Sequence, residues 1–442
     1  MRNLSTIHFV WLAVAAAASC VACSQFSSSL PSAHRPAFQS LPPSAREDGN
    51  GKLVELAIKT ALTAMPAPTP PGLAIAVYFE GKTYFYYQGV RALGGKPIDA
   101  NSIFELGSVT KSFTGIMLGT DVNQKVADVR LSDHPAPWIV FAGNPNRVAP
   151  DPVETTCATP TATPVPPKKY GTVKQMTLEE LATHTSGLPD EPPPPNGGIV
   201  QRQCYSPQQF VNYIEKGKKF TPPPAPYLYS DIGFGYLGYV LQGVNNKATG
   251  RKAKSWYILA REQILDPLGM THTYNLNVPR DMLAEYIQGY TFKGCKPPFT
   301  GCKPKKVLHW TWDAWPAAGV LRSTATDMAK YLELALRLKG PAELIAGAKT
   351  AEKAYTKDGA GYGQGLAWAY GLLYQKEAKP PPPQVIWKDG GTAGCSTWIG
   401  LLFEPKRDVA GIVVLTNGNK MPVGPLGRGV LTPLYLHELG YR

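Results

Sequence analysis

Histidine is scarce in this chain. The seven histidines among 442 residues are scattered and never fall at metal-ligand spacing, which argues against a metal centre. Long apolar runs are missing too: the stretch from Phe9 to Ala18 is too short for a comfortable membrane span. There is no aromatic-interleaved basic stripe and no nucleic-acid motif. The formal net charge is +13, but the lysines gather in short loop-like clusters such as Lys216, Lys218 and Lys219, or Lys303, Lys305 and Lys306. That excess reads as solvated loops, not as a polyanion site. No cofactor and no nucleic-acid partner are expected.

What is present suits a large folded core, with 43% hydrophobic residues in 442. Arg2, the apolar run and the small residues Ser19, Ala22 and Ser24 read as an export signal over residues 1–24. Cleavage near Ala22 or Ser24 has an alternative in lipid attachment at Cys20 or Cys23, although neither has a leucine three residues before it. Residues 25–50, rich in Ser and Pro, read as a flexible tether. The expectation is a periplasmic or secreted protein, or an anchored lipoprotein, monomeric, with residues 51–442 as its folded domain. In an oxidising compartment cysteines pair by default. Cys295 and Cys302 bracket a short loop with Pro297, Pro298 and Gly301, and Cys157 and Cys204 lie in proline-rich, insert-like segments. Cys395 is left over as a small buried hydrophobe.

Residues 52–65 carry apolar positions at helical spacing and stop before Pro66. Gly72 to Phe79 and Lys82 to Val90 flank Glu80-Gly81 as a hairpin. Loop insertions are expected near 143–175 and 190–204, and Thr177 to Glu180 spells a capping box. Helices are expected near 207–216, 238–245, 256–264, 325–338 and 425–439, and strands near 384–388, 396–403 and 409–415. Strands at both ends with helices between them imply an α+β fold. One antiparallel sheet would form from both termini, flanked by helices, with a mostly helical region inserted.

Chemistry concentrates at Ser108-Val109-Thr110-Lys111, the chain's one Ser-x-x-Lys. On a helix these two side chains share a face, and a serine hydroxyl needs a neighbouring base to become a nucleophile. The bland alternative is a capping Ser108 with a solvated Lys111. Apolar Phe113, Ile116, Met117 and Leu118 follow and argue for a buried helix. Tyr229 and Asp231 alternate, so in an extended turn both would face one cleft. A tyrosine held between two ammonium groups would have a depressed pKa. Lys388-Asp389-Gly390-Gly391-Thr392 ends an apolar strand, which puts Lys388 and Gly390 on one face and Asp389 on the other. Lys357-Asp358-Gly359 lacks a preceding strand and is set aside. His184 reads as a hydrogen-bonded structural residue, not a base.

Ser-Val-Thr-Lys, Tyr-Ser-Asp and Lys-Asp-Gly-Gly-Thr-Ala-Gly, in this order, resemble the three motifs of the serine β-lactamase and penicillin-binding-protein superfamily. Within it the chain is most similar to the class C β-lactamases and the related DD-peptidases and esterases. Residues 181–189, 264–270 and 319–327 agree, and the resemblance spans about residues 50 to 440. It implies the β-lactamase/transpeptidase-like fold, with Ser108 as acylating nucleophile, Lys111 as its activator and Tyr229 as general base. The backbone N–H groups of Ser108 and Gly391 would form an oxyanion hole, and Lys388 and Thr392 would meet a substrate carboxylate.

Two positions depart from the pattern. Asp231 stands where the family usually has Asn, and an ionised Asp can only accept hydrogen bonds. Beside Lys111 it also favours the charged ammonium. Asp389 stands where a hydroxyl residue is common and would compete for Lys388. The resemblance implies a β-lactam hydrolase working through an acyl-enzyme. The alternatives are a D-Ala-D-Ala peptidase or esterase with the same machinery, and a sensor that acylates without turnover.

Overall fold

The computed structural model describes residues 38–39, 48–65, 70–140, 175–191, 206–216, 225–295, 302–310, 314–357, 363–375, 378–403 and 410–441. The expected signal segment, the bulk of both expected loop insertions and the expected Cys157–Cys204 pairing lie outside these residues.

In chain order the elements are β1 (Phe38–Gln39), α1 (Gly49–Thr63), β2 (Gly72–Phe79), β3 (Lys82–Gly89), β4 (Phe104–Glu105) and α2 (Thr110–Asn123). The middle of the chain holds α3 (Leu178–Ala182), α4 (Pro207–Lys216), α5 (Asp231–Thr249), α6 (Trp256–Ala260), β5 (Tyr290–Thr291), β6 (Lys305–Lys306) and β7 (Arg322–Ser323). Then follow α7 (Ala325–Ala335), α8 (Ala342–Ala351), β8 (Thr356–Lys357), β9 (Gly363–Gln364), β10 (Ala369–Leu372), β11 (Gln384–Gly391), β12 (Ser396–Leu402), β13 (Ala410–Thr416) and α9 (Val423–Glu438).

Among the described residues nine strands form one antiparallel sheet in the order β1-β3-β2-β13-β12-β11-β10-β9-β8. The N-terminal hairpin therefore sits beside the last strand, with β2 paired to β13, as expected from strands at both ends of the sequence. Both faces of the central strands are covered. Leu73, Ile75, Val77 and Phe79 of β2 join a core with α1 and α9, while Ala74, Ala76 and Tyr78 join the larger core with the remaining helices. Burial on both faces explains why β2 and β13 read as continuous apolar runs without alternation. Phe38–Gln39, within the segment expected as a tether, pairs with β3 at the sheet edge.

Local signals set the element ends. Glu80 and Gly81 both take positive φ in the β2–β3 turn, the geometry that a tight hairpin requires. The Thr177 capping box opens α3 with both reciprocal hydrogen bonds. Helix α5 starts earlier than its expected 238–245, because Ser230 caps it by accepting from Gly233 N at 2.9 Å. Its glycines serve packing: a Cβ on Gly235 would lie 2.2 Å from the Cβ of Trp315. Cys295 and Cys302 form a disulfide, and Cys395 is buried and unpaired. Among the described residues no helix is long and apolar enough to cross a membrane.

Candidate active site

Ser108 lies on a short turn, Gly107–Val109, that feeds directly into α2. Gly107 has φ +51°, and a Cβ there would sit 2.7 Å from the backbone N of Gly391. A Cβ on Gly390 would sit 2.0 Å from Leu106 O. Only glycine lets the end of β11 press against the serine-bearing turn. Ser108 and Gly391, more than 280 residues apart in sequence, thereby come to line the same two cavities.

One helical turn on, Lys111 is fully buried. Its ammonium donates to Ser108 Oγ at 2.9 Å, to Ala318 O at 2.7 Å and to Asp231 Oδ1. Tyr229 donates to Ser108 Oγ at 2.6 Å from the other side. Tyr229 is flanked by two cations, with Lys111 Nζ 5.0 Å and Lys388 Nζ 5.1 Å from its ring centre. The expectation of a depressed phenol pKa does not hold. Burial raises it above the ordinary value, and this outweighs the opposing pull of Lys388; desolvation of a phenolate costs more here than the neighbouring ammonium returns.

Lys388 is buried and pairs with Asp389 at 3.1 Å, and Asp389 is more than half exposed. The Lys388 ammonium in turn holds the Asp389 carboxyl below its usual range. Thr392 points elsewhere. Its hydroxyl donates to Glu105 Oε2 at 2.6 Å and accepts from Cys395 N at 3.0 Å, so it is turned away from both cavities. Two cavities thus meet at Ser108 and Gly391, one lined by Asp231 and the other by Tyr229, Lys388 and Gly390, with Lys111 buried beneath Ser108. Thr392 stands behind them.

Two supporting groups carried no decisive signal in sequence. His184 is buried, accepts from Ser230 N at 3.1 Å through Nδ1, and packs its ring 4.4 Å from that of Tyr229. Burial and the two lysines hold its pKa well below the ordinary value, so it is a neutral platform under the tyrosine. Glu105 gathers Thr392, Tyr286 at 2.9 Å, Trp310 N at 2.9 Å and His309 at 3.2 Å, with Arg322 3.8 Å away. Burial alone would raise its pKa, but His309, Arg322 and Thr392 overcome that and hold it at about 2.

The larger cavity, about 350 Å³, is lined by Ser108, His184, Tyr229 and Lys388 among others; the smaller, about 20 Å³, lies on the Asp231 side of the serine. Among the described residues no group of three or more His, Cys, Asp or Glu could hold a metal ion.

The family described as Beta-lactamase matches residues 62–431. The chain belongs to the β-lactamase family. A protein named Beta-lactamase from Lysobacter lactamgenus is 26% identical over 406 residues, covering 85% of this chain and 89% of that protein. The Beta-lactamase of Escherichia coli (strain K12) is 26% identical over 384 residues, covering 79% and 84%. A class C β-lactamase structure from Rhodobacter sphaeroides superposes with a TM-score of 0.62 at 21% identity, over 88% of this chain and 99% of that one. A class C β-lactamase in complex with cefoxitin gives 0.64 at 20% identity, over 87% and 99%. The β-lactamase fold is therefore that of this chain, and the protein is a hydrolase of that family.

Proposed function

We propose that the protein opens β-lactams through a covalent acyl-enzyme on Ser108. The observation that carries this is the pair of hydrogen bonds converging on Ser108 Oγ from Lys111 and Tyr229, with Lys388 across the tyrosine ring.

The arrangement divides the labour. An ammonium has three hydrogens, and Lys111 has three acceptors: Ser108 Oγ, Ala318 O and Asp231 Oδ1. A lysine so saturated is an electrostatic partner, not a proton acceptor. Tyr229 is left as the proton carrier. Because its phenol is buried and hard to ionise, it works by exchange. It accepts the serine proton as Ser108 Oγ bonds the carbonyl carbon, and passes its own proton to the departing nitrogen as the C–N bond breaks. Ser108 N–H and Gly391 N–H would hold the developing oxyanion, where losing one donor typically costs about a hundredfold or more. Lys388 would anchor the substrate carboxylate. Water then bonds the acyl carbon and gives its proton to Tyr229. Tyr229 returns a proton to Ser108 Oγ as the acyl C–O bond breaks, which releases the ring-opened acid and frees Ser108.

A second reading is hydrolysis of small esters or D-Ala-D-Ala peptides; its ester form, which needs no carboxylate anchor, draws support from Asp389. It already pairs with Lys388 and competes with a substrate carboxylate. We also infer export, from the signal-like residues 1–24 and from the Cys295–Cys302 disulfide, which suits an oxidising compartment.

The test is mass spectrometry after brief exposure to penicillin, with turnover of a chromogenic cephalosporin measured in parallel. The expected result is one penicilloyl adduct on Ser108 and none on Ser108→Ala, with cephalosporin turnover lost in that variant. Labelling that persists in Ser108→Ala would remove the nucleophile. Cleavage of esters or D-Ala-D-Ala peptides without cephalosporin turnover would favour the second reading.

A further inference from the structure

The smaller cavity has an unusual charge for a place that receives an acyl group. Among the described residues lining it, Gly107, Ser108, Asp231, Trp310, Trp315 and the strip 318–320 with Gly391, the only charged side chain is Asp231. Asp231 Oδ1 takes the Lys111 ammonium, while Oδ2 has no hydrogen bond to any described residue. A carboxylate oxygen can only accept, so that oxygen has no use for a substrate carbonyl. It suits an N–H or a cation. The walls do not oppose this: Trp310 and Trp315 line the same space and bring no second charge to it. The size agrees. A space of about 20 Å³ holds one water-sized group, which admits a primary ammonium and nothing much larger.

Position turns this into selectivity. The two cavities share Ser108 and Gly391, and only the larger one contains Tyr229 and Lys388. A carbonyl held over Ser108 and Gly391 thus directs its leaving group towards Tyr229 and Lys388, and its acyl side towards Asp231. We propose that Asp231 selects acyl donors that carry a primary ammonium on the acyl side of the reacting carbonyl, either on the side-chain acyl group of a β-lactam or on the acyl group of an ester or amide. This inference rests on the acyl-serine reading above. The ammonium places its N–H groups on Asp231 Oδ2. An acyl side chain that offers only a carbonyl in this position finds no donor from Asp231.

Ampicillin and benzylpenicillin share ring system, carboxylate and phenyl group and differ by one α-amine, so their ratio isolates this contact. The wild-type enzyme is expected to acylate on Ser108 and turn over ampicillin about tenfold or more faster in kcat/KM than benzylpenicillin, the scale of a hydrogen bond to a charged group. Asp231→Asn and Asp231→Ser, checked for folding by thermal melting, are expected to bring the ratio to one or below. Glycyl and acetyl nitrophenyl esters repeat the comparison without a β-lactam ring or carboxylate. Equal rates within both pairs for the wild type, or a preference that survives in both variants, would overturn the inference while Ser108 labelling leaves the hydrolase reading standing. Absence of Ser108 acylation by all four compounds would overturn the hydrolase reading and this inference with it.

Discussion

Glu105 is the residue on which the rear wall of the site depends. Its carboxylate holds the hydroxyl of Thr392 and the backbone N of Trp310, and so ties the end of β11 to one wall of the smaller cavity. With a folded pKa of about 2 against an ordinary 4.5, the sign of its pH effect follows. The depressed value means that ionised Glu105 stabilises the fold at all pH values above about 4.5, and that this contribution is lost as pH falls towards 2. The shift corresponds to about 3 kcal/mol at most. Chemical denaturation of wild type and Glu105→Gln between pH 6 and 3 is expected to show the wild type losing stability across that window, while the variant, weaker at pH 6, loses less. Parallel curves would show that Glu105 is not the titrating group.

Helices α2 and α8 cross at glycine. A Cβ on Gly347 of α8 would lie 2.0 Å from Thr120 Oγ1 and 3.0 Å from Ile116 O, and one on Gly119 of α2 would lie 2.6 Å from Gly347 O. The α2 that carries Lys111 and follows the Ser108 turn directly is therefore fixed from behind by backbone-to-backbone approach. Gly347→Val should push the helices apart and cost about 1–3 kcal/mol, read as a lower denaturation midpoint, with a slower acylation of Ser108 if the displacement reaches the helix start. Helix α8 is also, with the short strands β8 to β10, an element that no local sequence pattern announces. Ala342–Ala351 follows Pro341 with small residues and no strong apolar stripe, so its helicity comes from packing on α2 and not from periodicity. The long signals were readable: the apolar runs of β2, β12 and β13, the capping box at Thr177 and the order of the three motifs. What stayed hidden depends on partners far along the chain. The rotation of Thr392 onto Glu105, 287 residues away, and the dominance of burial over Lys388 at Tyr229 are results of three-dimensional packing that no local pattern encodes.

Across the whole molecule, the sheet separates two cores with different duties. Ile386, Lys388 and Gly390 alternate onto the face that meets α2, where Ile386 joins the larger core, while Val385 of the same strand joins the core under α1 and α9. The second core is built from the two ends of the described domain: Val54, Ala57 and Ile58 of α1 against Val430, Leu431 and Leu434 of α9. Six side chains of α9 are buried there, Val423, Leu426, Val430, Leu431, Leu434 and Tyr435. At about 1.5–3 kcal/mol for each large one, together they match a typical net stability of about 5–15 kcal/mol, so the fold depends on this helix. Since none of them reaches the face that carries Lys388, stability and chemistry should separate. Leu431→Ala is expected to cost about 2–5 kcal/mol, seen as a lower unfolding midpoint. The fraction of folded molecules that acylate on Ser108, and the rate at which they do so below the new transition, should match the wild type. A loss of acylation rate in fully folded Leu431→Ala would show that the outer core governs the geometry of the site through the sheet.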